Sequence, residues 1–193
     1  MKRVCVFCGA QPGFGPEHQI LAKALGHAIA ARGLGLVYGG GKVGLMGVVA
    51  DAALSAGAEV IGVIPEALMD RELGHGGVTD LRVVPSMHVR KALMNELSDG
   101  FVVLPGGIGT LEEAVEIQSW AQLGIHAKGL VFLDSDDYWA TYFALLERMA
   151  EEGFLRAEHA ALALRAHTPE AALDLLADWK APAVTRWMTR SQT

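Results

Sequence analysis

The sequence predicts an α/β domain in which helices cover both faces of a parallel β-sheet. Short β-rich apolar runs alternate with longer helical patterns along the chain, an order typical of strands joined by crossover helices. These runs are apolar throughout, as strands buried on both faces are. The 193 residues, 51% of them hydrophobic, suffice for one sizeable core. We therefore expect a single Rossmann-like, doubly wound domain over residues 1–180. The tail at residues 181–193 is either mobile or an oligomer contact.

The individual elements follow from apolar periodicity and from glycine and proline punctuation. Seven strands are predicted, at residues 3–8, 36–38, 59–64, 81–84, 101–104, 130–133 and 161–165. Six helices are predicted, at residues 16–32, 45–56, 87–97, 111–123, 138–152 and 169–179. The first two stop at Gly33 and Gly57, because glycine readily ends a helix. Since ligands of open α/β sheets bind at the carboxyl ends of the strands, we expect the site in the loops that follow strands.

Composition and charge favour a small ligand. The formal net charge of −6 argues against a nucleic-acid or anionic-membrane surface, so we expect a small-molecule partner. No apolar stretch approaches the roughly 20 residues of a membrane helix, and the run at residues 4–8 is too short for a signal peptide. Cys5 and Cys8 form a C-x-x-C that lacks the further ligands zinc needs. We interpret them as reduced thiols in or beside a buried strand and expect a cytoplasmic protein.

The most informative segment is residues 105–113, with the sequence PGGIGTLEE, between a predicted strand and a predicted helix. Its glycines let backbone N–H groups approach a phosphate, and the helix N-terminus adds a partial positive charge. The segment also fits a capping box, with Thr110 as N-cap and Glu113 reaching back to its N–H. Three glycines within five residues exceed what a cap requires, which favours a ligand site.

A second segment places two cations in the first turn of a helix. Ser86 is the predicted N-cap, and Arg90 and Lys91 follow it closely. Cations near a helix N-terminus interact unfavourably with the helix macrodipole. Residues placed against this preference indicate a functional site. Ordinary solvated charges are the alternative. Because the preceding strand ends near Val84, these side chains are expected at the same sheet end as the glycine loop.

A third segment, residues 39–47, matches G-x-G-x-x-G between a strand and a helix. The dinucleotide fingerprint is imperfect because the loop follows the second strand and the acidic Glu59 precedes its strand. It is not a P-loop either, since Val43 stands where Ser or Thr would follow Lys42. We interpret it as a second glycine loop that shapes the pocket through Gly40 and Gly41. Close helix–strand packing is the alternative.

The acidic run at residues 134–137, DSDD, offers oxygen ligands that hard cations prefer. An acidic cap for the helix predicted to begin at Tyr138 explains the run more simply. We therefore assign no metal.

The glycine loop and the cationic segment together resemble the Lonely-guy family, whose mark is P-G-G-x-G-T-x-x-E with an upstream M-H-x-R-K. Both motifs are complete, at residues 105–113 and 87–91. The similarity extends from Cys8 to Phe154 and covers most of the chain. The resemblance implies hydrolysis of a nucleoside 5′-monophosphate to free base and ribose 5-phosphate. In the cytokinin producers of the family, the base is an N6-substituted adenine.

The same resemblance implies roles for particular residues. Arg90 and Glu113 are implied as the catalytic pair. The implied substrate-binding residues are Glu72, Lys91, Gly106, Gly107, Gly109, Thr110, Glu112 and Ser119. The family often has Thr where this chain has Ser119, a departure that keeps the hydroxyl. No cofactor is expected. The resemblance also implies a homodimer in which the site lies close to the contact between the subunits.

The implied chemistry is physically reasonable for these residues. Departure of the base leaves an oxocarbenium-like ribose, which a nearby carboxylate can stabilise while it orients water. Glu113 is suited to this role. Arg90 either holds Glu113 ionised and in position or contacts the phosphate, and the sequence leaves both roles open.

Two other functions compete with this hypothesis. Members of the family have often been labelled lysine decarboxylases, which would require pyridoxal phosphate and a Schiff-base lysine such as Lys42 or Lys91. The other is a carrier of a nucleotide or of the molybdenum cofactor on the same scaffold. A carrier needs the glycine loop but has no need of a carboxylate beside the ribose, so the pair of Arg90 and Glu113 favours the hydrolase.

Overall fold

A seven-stranded parallel sheet forms the centre of the computed structural model, which describes residues 1–69 and 74–182. The strands are β1 (Arg3–Phe7), β2 (Gly35–Tyr38), β3 (Val60–Pro65), β4 (Asp80–Val84), β5 (Gly100–Val103), β6 (Leu130–Leu133) and β7 (Ala163–Ala166). Their spatial order is β4-β3-β2-β1-β5-β6-β7, and every neighbouring pair is parallel. The chain adds strands to one side of β1 as far as β4 and then to the other side from β5. A topological switch point therefore lies between β1 and β5, where open α/β sheets bind ligands.

Helices cover both faces of this sheet. They are α1 (Glu17–Ala31), α2 (Gly44–Ser55), α3 (Met87–Leu97), α4 (Ile108–Gln122), α5 (Ala140–Glu151), α6 (Ala157–Ala160) and α7 (Pro169–Ala177), with a 3-10 turn at Glu66–Leu68. One core contains Ile29 of α1, Val49 of α2 and Leu173 of α7. The other contains Met94 of α3 and Ile117 of α4. The predicted doubly wound α/β fold is thus confirmed, with seven strands as expected.

The start of α4 differs from the prediction. The helix begins at Ile108, with Gly107 as an N-cap that makes no side-chain hydrogen bond. Thr110 therefore lies inside the first turn, and the capping-box interpretation of Thr110 and Glu113 is wrong. The glycine loop ends three residues earlier than the apolar periodicity suggests, and Gly106 packs closely against Thr110 in the first turn. By contrast, Ser86 is the N-cap of α3 as predicted, and its hydroxyl accepts from the Val89 N–H.

The acidic run before α5 does not cap that helix. The helix begins at Ala140, and Trp139 is its N-cap without a side-chain hydrogen bond. Asp134 and Asp137 both pair instead with Arg165 on β7. The prediction failed because the partner of these carboxylates is 28 or more residues away in the chain. The four-residue helix α6 was also not predicted, since one turn is too short for a periodic signal.

Further expectations concern the two cysteines, membrane-spanning helices and residues that lie outside the described ranges. Cys5 and Cys8 are buried as thiols, and burial raises the pKa of Cys5 well above its ordinary value. Across residues 1–69 and 74–182, every helix is too short or too polar to cross a membrane. Glu72 and residues 183–193, most of the predicted tail, lie outside the described residues.

Candidate active site

A cavity of about 620 Å³ opens at the carboxyl ends of the strands, beside the switch point. The loops after β1 and β5, the first turns of α2, α3 and α4, and the loop before α5 contribute its walls. This is the sheet end at which the sequence predicted the site. The structure brings seven predicted site residues to its lining: Arg90, Gly106, Gly107, Gly109, Thr110, Glu112 and Glu113.

The glycine loop forms one end of the cavity. A Cβ on Gly106 would lie 2.2 Å from Thr110 Oγ1 and 2.8 Å from the Gly9 nitrogen, so only glycine fits there. Around Gly107 and Gly109, in contrast, no atom would lie within 4 Å of an added Cβ. The open space lies at the N-terminus of α4, whose first N–H groups have no acceptor within the helix. This end of the cavity is therefore suited to bind an anion such as phosphate.

Arg90 and Glu113 lie together on the cavity wall. Nη1 of Arg90 is 3.8 Å from Oε1 of Glu113, and the two side chains are only 5% and 11% exposed. The guanidinium also donates to two backbone carbonyls, with Nη2 at 3.1 Å from the oxygen of Gly39, just after β2, and Nε at 3.1 Å from the oxygen of Val63 within β3. Arg90 is thereby held in place by the sheet, and its charge favours the ionised form of Glu113.

Gly39 is essential to this arrangement. A Cβ at this position would lie 2.0 Å from Arg90 Nη2 and 3.1 Å from Met46 Sδ. The first glycine of the second glycine loop therefore makes room for the arginine. The sequence carried a signal for it, a glycine directly after a strand, but could not indicate which side chain fills the space.

Lys91 lies off the cavity lining. Its ammonium group is buried and hydrogen-bonded to Glu112, and it lies 2.9 Å from Oε2 of Glu116. Burial acts to lower the pKa of Lys91, but the hydrogen bonds to the two carboxylates outweigh it and raise the pKa above its ordinary value. Lys91 thus joins α3 to α4 and compensates carboxylate charge beside the anion site.

The remaining predicted residues are placed elsewhere. Ser119 is exposed on α4, away from the cavity lining. Gly40, with a φ of 78°, packs against Ile64 and Val63, and Gly41 forms an isolated bridge with Gly74. These two glycines serve backbone packing, and the second loop shapes the cavity through the residues that follow it, Leu45 and Met46.

Sequence reasoning missed part of the lining. Gln11, Phe14 and His18 come from the loop after β1 and the start of α1, and Tyr138 comes from the loop after β6. Their only sequence signal was their position after strands. Apolar side chains form the rest of the wall: Leu45, Met46, Leu68 and Met87. The residues that the structure describes contain no group of three or more His, Cys, Asp or Glu that could hold a metal ion.

Comparison with known proteins identifies the family. A family model described as "Possible lysine decarboxylase" matches residues 46–176, more than half of the chain. The chain belongs to this family. A cytokinin riboside 5′-monophosphate phosphoribohydrolase of Rhodococcoides fascians is 50% identical over 155 residues, which are 80% of this chain and 78% of that protein. The Lonely-guy resemblance of the two motifs is thereby confirmed.

Two further comparisons support the Lonely-guy assignment and the fold. A cytokinin riboside 5′-monophosphate phosphoribohydrolase of Arabidopsis thaliana is 47% identical over 154 residues, 80% of this chain and 72% of that protein. The structure of a molybdenum cofactor binding protein from Rippkaea orientalis superposes with a TM-score of 0.70. It is 22% identical and covers 92% of this chain and 96% of its own, a likeness that shows the shared fold.

The residues of this Lonely-guy chain do not fit the cofactor that a lysine decarboxylase would need. Pyridoxal phosphate requires a lysine that forms a Schiff base. Over residues 1–69 and 74–182, no lysine lines the cavity. Lys91 is buried, protonated and engaged by two carboxylates, and Lys42 is exposed outside the lining. The family description is therefore a poor guide to the chemistry of this site.

Proposed function

We propose that this protein hydrolyses the N-glycosidic bond of a nucleoside 5′-monophosphate and releases the free base and ribose 5-phosphate. The observation that carries the proposal is the buried pair of Arg90 and Glu113, which lies in the same cavity as an anion site at the N-terminus of α4. A 5′-phosphate at the glycine loop would leave the ribose close to the carboxylate. The activity matches the names of the two phosphoribohydrolases that are 50% and 47% identical to this chain.

The substrate would bind through two parts of the cavity, the anion site and the apolar wall. The phosphate accepts from the N–H groups at Gly107 and Gly109 and is favoured by the α4 macrodipole. The base lies against the apolar wall, which includes Met46 and Met87. The volume of about 620 Å³ falls within the roughly 300–1,000 Å³ of small-molecule sites. An adenine with an apolar N6 substituent suits this combination of wall and volume.

The proposed chemical step requires a carboxylate beside the ribose and no cofactor. The bond between C1′ and the base nitrogen breaks, water supplies a hydroxyl to C1′, and the remaining proton goes to the base. Ionised Glu113 stabilises the oxocarbenium-like ribose and orients the attacking water. Arg90 donates through Nε and Nη2 to backbone carbonyls, while its Nη1 donates to Met87 Sδ at 3.7 Å and lies 3.8 Å from Glu113 Oε1. This arrangement supports a role for Arg90 in holding the carboxylate rather than the phosphate.

The deciding experiment measures release of base from AMP and from isopentenyl-AMP under metal-free conditions. Wild type is compared with Glu113→Gln and with the control Glu147→Gln, which changes an exposed carboxylate on α5. We expect base and ribose 5-phosphate from wild type and control, and a loss of at least about a hundredfold in Glu113→Gln. Binding of both nucleotides without release by wild type would contradict the proposal and favour a carrier.

We further propose that this protein is a homodimer in the cytoplasm. Met87 and Val89 on α3 and Val115 on α4 expose apolar side chains, which supports burial of these helices against a second copy. The buried thiols Cys5 and Cys8 suit a reducing compartment. Light scattering after gel filtration should give twice the mass of the chain for wild type, and a smaller mass for Val89→Arg. A wild-type monomer at micromolar concentration would contradict the dimer.

A further inference from the structure

The segment between β6 and α5 is anchored to the neighbouring strand by ion pairs. Arg165 on β7 places Nη2 2.7 Å from Asp134 Oδ2 and 2.5 Å from Asp137 Oδ1, and its Nε donates to Asp134 Oδ2 at 2.9 Å. The Asp134 side chain is completely buried. One guanidinium thus holds both ends of the acidic run, a feature that the proposed reaction does not use.

The same segment has an unusual backbone conformation. Asp137 has a φ of 58°, and among the residues that the structure describes it is the one non-glycine residue with a positive φ. Such a conformation is strained for a non-glycine residue and persists where the surroundings enforce it. The ion pair of Asp137 and the buried ring of Trp139, 5.3 Å from that of Phe132, are those surroundings. Between these anchors lies Tyr138.

Tyr138 extends from this turn to the glycine loop. Its hydroxyl donates to the Gly106 carbonyl at 2.6 Å. The His18 ring meets the Tyr138 ring edge-on, with centroids 5.8 Å apart. Both side chains line the cavity beside the loop. Tyr138 therefore connects a rigid turn to the carbonyl of the residue at which the anion site begins.

The hydrogen bond from Tyr138 orients the whole peptide group between Gly106 and Gly107. The Gly106 carbonyl and the Gly107 N–H belong to one planar trans peptide and point in opposite directions. Glycines on both sides of that peptide allow it to rotate easily. An anchor on the carbonyl therefore sets the direction of the Gly107 N–H, which is a donor at the N-cap of α4.

We propose that Tyr138 is a positioning residue for the phosphate, acting through the peptide between Gly106 and Gly107. The inference rests on the proposed function, in that the anion is the 5′-phosphate of a nucleotide. Tyr138 acts on ligands that carry a phosphate and leaves the binding of base and ribose unchanged. The acidic run and Arg165 keep the tyrosine in place.

The test compares wild type with Tyr138→Phe, which removes only the hydroxyl from a half-exposed side chain. Tyr142→Phe is the matched control, because the Tyr142 hydroxyl bonds to Gln118 away from the cavity. Calorimetry measures binding of ribose 5-phosphate and of adenosine, and steady-state kinetics measure KM and kcat for AMP. We expect Tyr138→Phe to weaken ribose 5-phosphate about five- to tenfold, on the scale of one hydrogen bond, with adenosine unchanged. The KM for AMP should rise by a similar factor and kcat should change little.

Any of the following results with the variants would overturn the inference: unchanged affinity for ribose 5-phosphate in Tyr138→Phe, an equal loss for adenosine, or an equal loss in Tyr142→Phe. The last two would indicate general loosening of the structure. Absence of ribose 5-phosphate binding to wild type would also overturn it. The failure of the proposed function is a separate result. If wild type binds ribose 5-phosphate but does not hydrolyse AMP, the hydrolase is excluded while the binding comparison still decides the role of Tyr138.

Discussion

The guanidinium of Arg90 lies 3.8 Å from the carboxylate of Glu113, and both groups are shielded from water on the cavity wall. At this depth the attraction between the two charges is stronger than at the surface. Arg90 is also immobilised by hydrogen bonds to the carbonyls of Val63 within β3 and of Gly39 directly after β2. The sheet thus determines where the positive charge lies relative to the carboxylate of Glu113.

Replacing Arg90 with lysine should test whether this fixed geometry matters. Lysine keeps the charge but lacks the fork of donors that reaches both carbonyls. We expect Arg90→Lys to lower kcat/KM for AMP at least about tenfold and the free energy of unfolding by about 1–3 kcal/mol. Enzyme kinetics and urea denaturation measure the two effects. Arg148→Lys, at an exposed position on α5, is the control. Full activity in Arg90→Lys would show that charge alone suffices.

Gly39→Ala should have a similar effect without touching a charged residue. The added methyl group would lie 2.0 Å from Arg90 Nη2, so the arginine must move. We expect a loss of kcat/KM at least as large as in Arg90→Lys and a destabilisation of about 1–3 kcal/mol. Gly76→Ala is the matched control, because no atom lies within 4 Å of a Cβ there. The interpretation of Gly39 would fail if both alanine variants kept wild-type activity.

Alanine substitutions at Gly109 and Gly106 should have different effects on ligand binding and on stability. A methyl group on Gly109 meets no protein atom, and alanine within a helix is favoured by about 0.5–1 kcal/mol. Gly109→Ala should therefore stay folded, gain slightly in thermal stability and bind AMP more weakly because the methyl group occupies the phosphate space. Gly106→Ala should instead lose stability, because its Cβ would lie 2.2 Å from Thr110 Oγ1. Calorimetric titration and thermal denaturation of both variants distinguish these outcomes. Unimpaired AMP binding by Gly109→Ala would argue against a phosphate there.

Acid should destabilise the fold through His126. Burial lowers the pKa of His126 from 6.5 to about 4, and the ring lies 2.9 Å from the Ile117 carbonyl oxygen through Nε2. The unfolded chain binds a proton below pH 6.5 while the folded chain does not until about pH 4, so this contribution is present above pH 6.5 and is lost as pH falls to 4. Between about pH 7.5 and 4.5 we expect wild type to lose about 2–3 kcal/mol from this group.

Urea denaturation of wild type and His126→Gln at both pH values measures this contribution. Glutamine does not titrate, so the variant should show a smaller loss than wild type over the same range. An equal pH dependence in the two proteins would exclude His126 as the cause.

Much of the fold and part of the site follow from the sequence, for identifiable reasons. Continuous apolar runs identify buried parallel strands, because both faces of the sheet are covered. The motif at residues 105–113 placed Gly107 and Glu113 at the carboxyl end of β5, since its strand and helix are adjacent in the chain. The capping interpretation of Thr110 failed because α4 begins at Ile108, with Gly107 rather than Thr110 as its N-cap. The contributions of His18 and Tyr138 were not predictable, as one enters the cavity from the start of α1 and the other from the loop after β6.

By itself the sequence determined the order of the elements and the anion-binding character of the loop after β5, because periodicity and glycine spacing are local properties. Only the tertiary structure decided which charges are paired. It set Lys91 between Glu112 and Glu116, Arg165 between Asp134 and Asp137, and Arg90 against Gly39. Each of these contacts joins residues 21 or more positions apart, and Coulomb attraction and close packing depend on distance in space rather than along the chain.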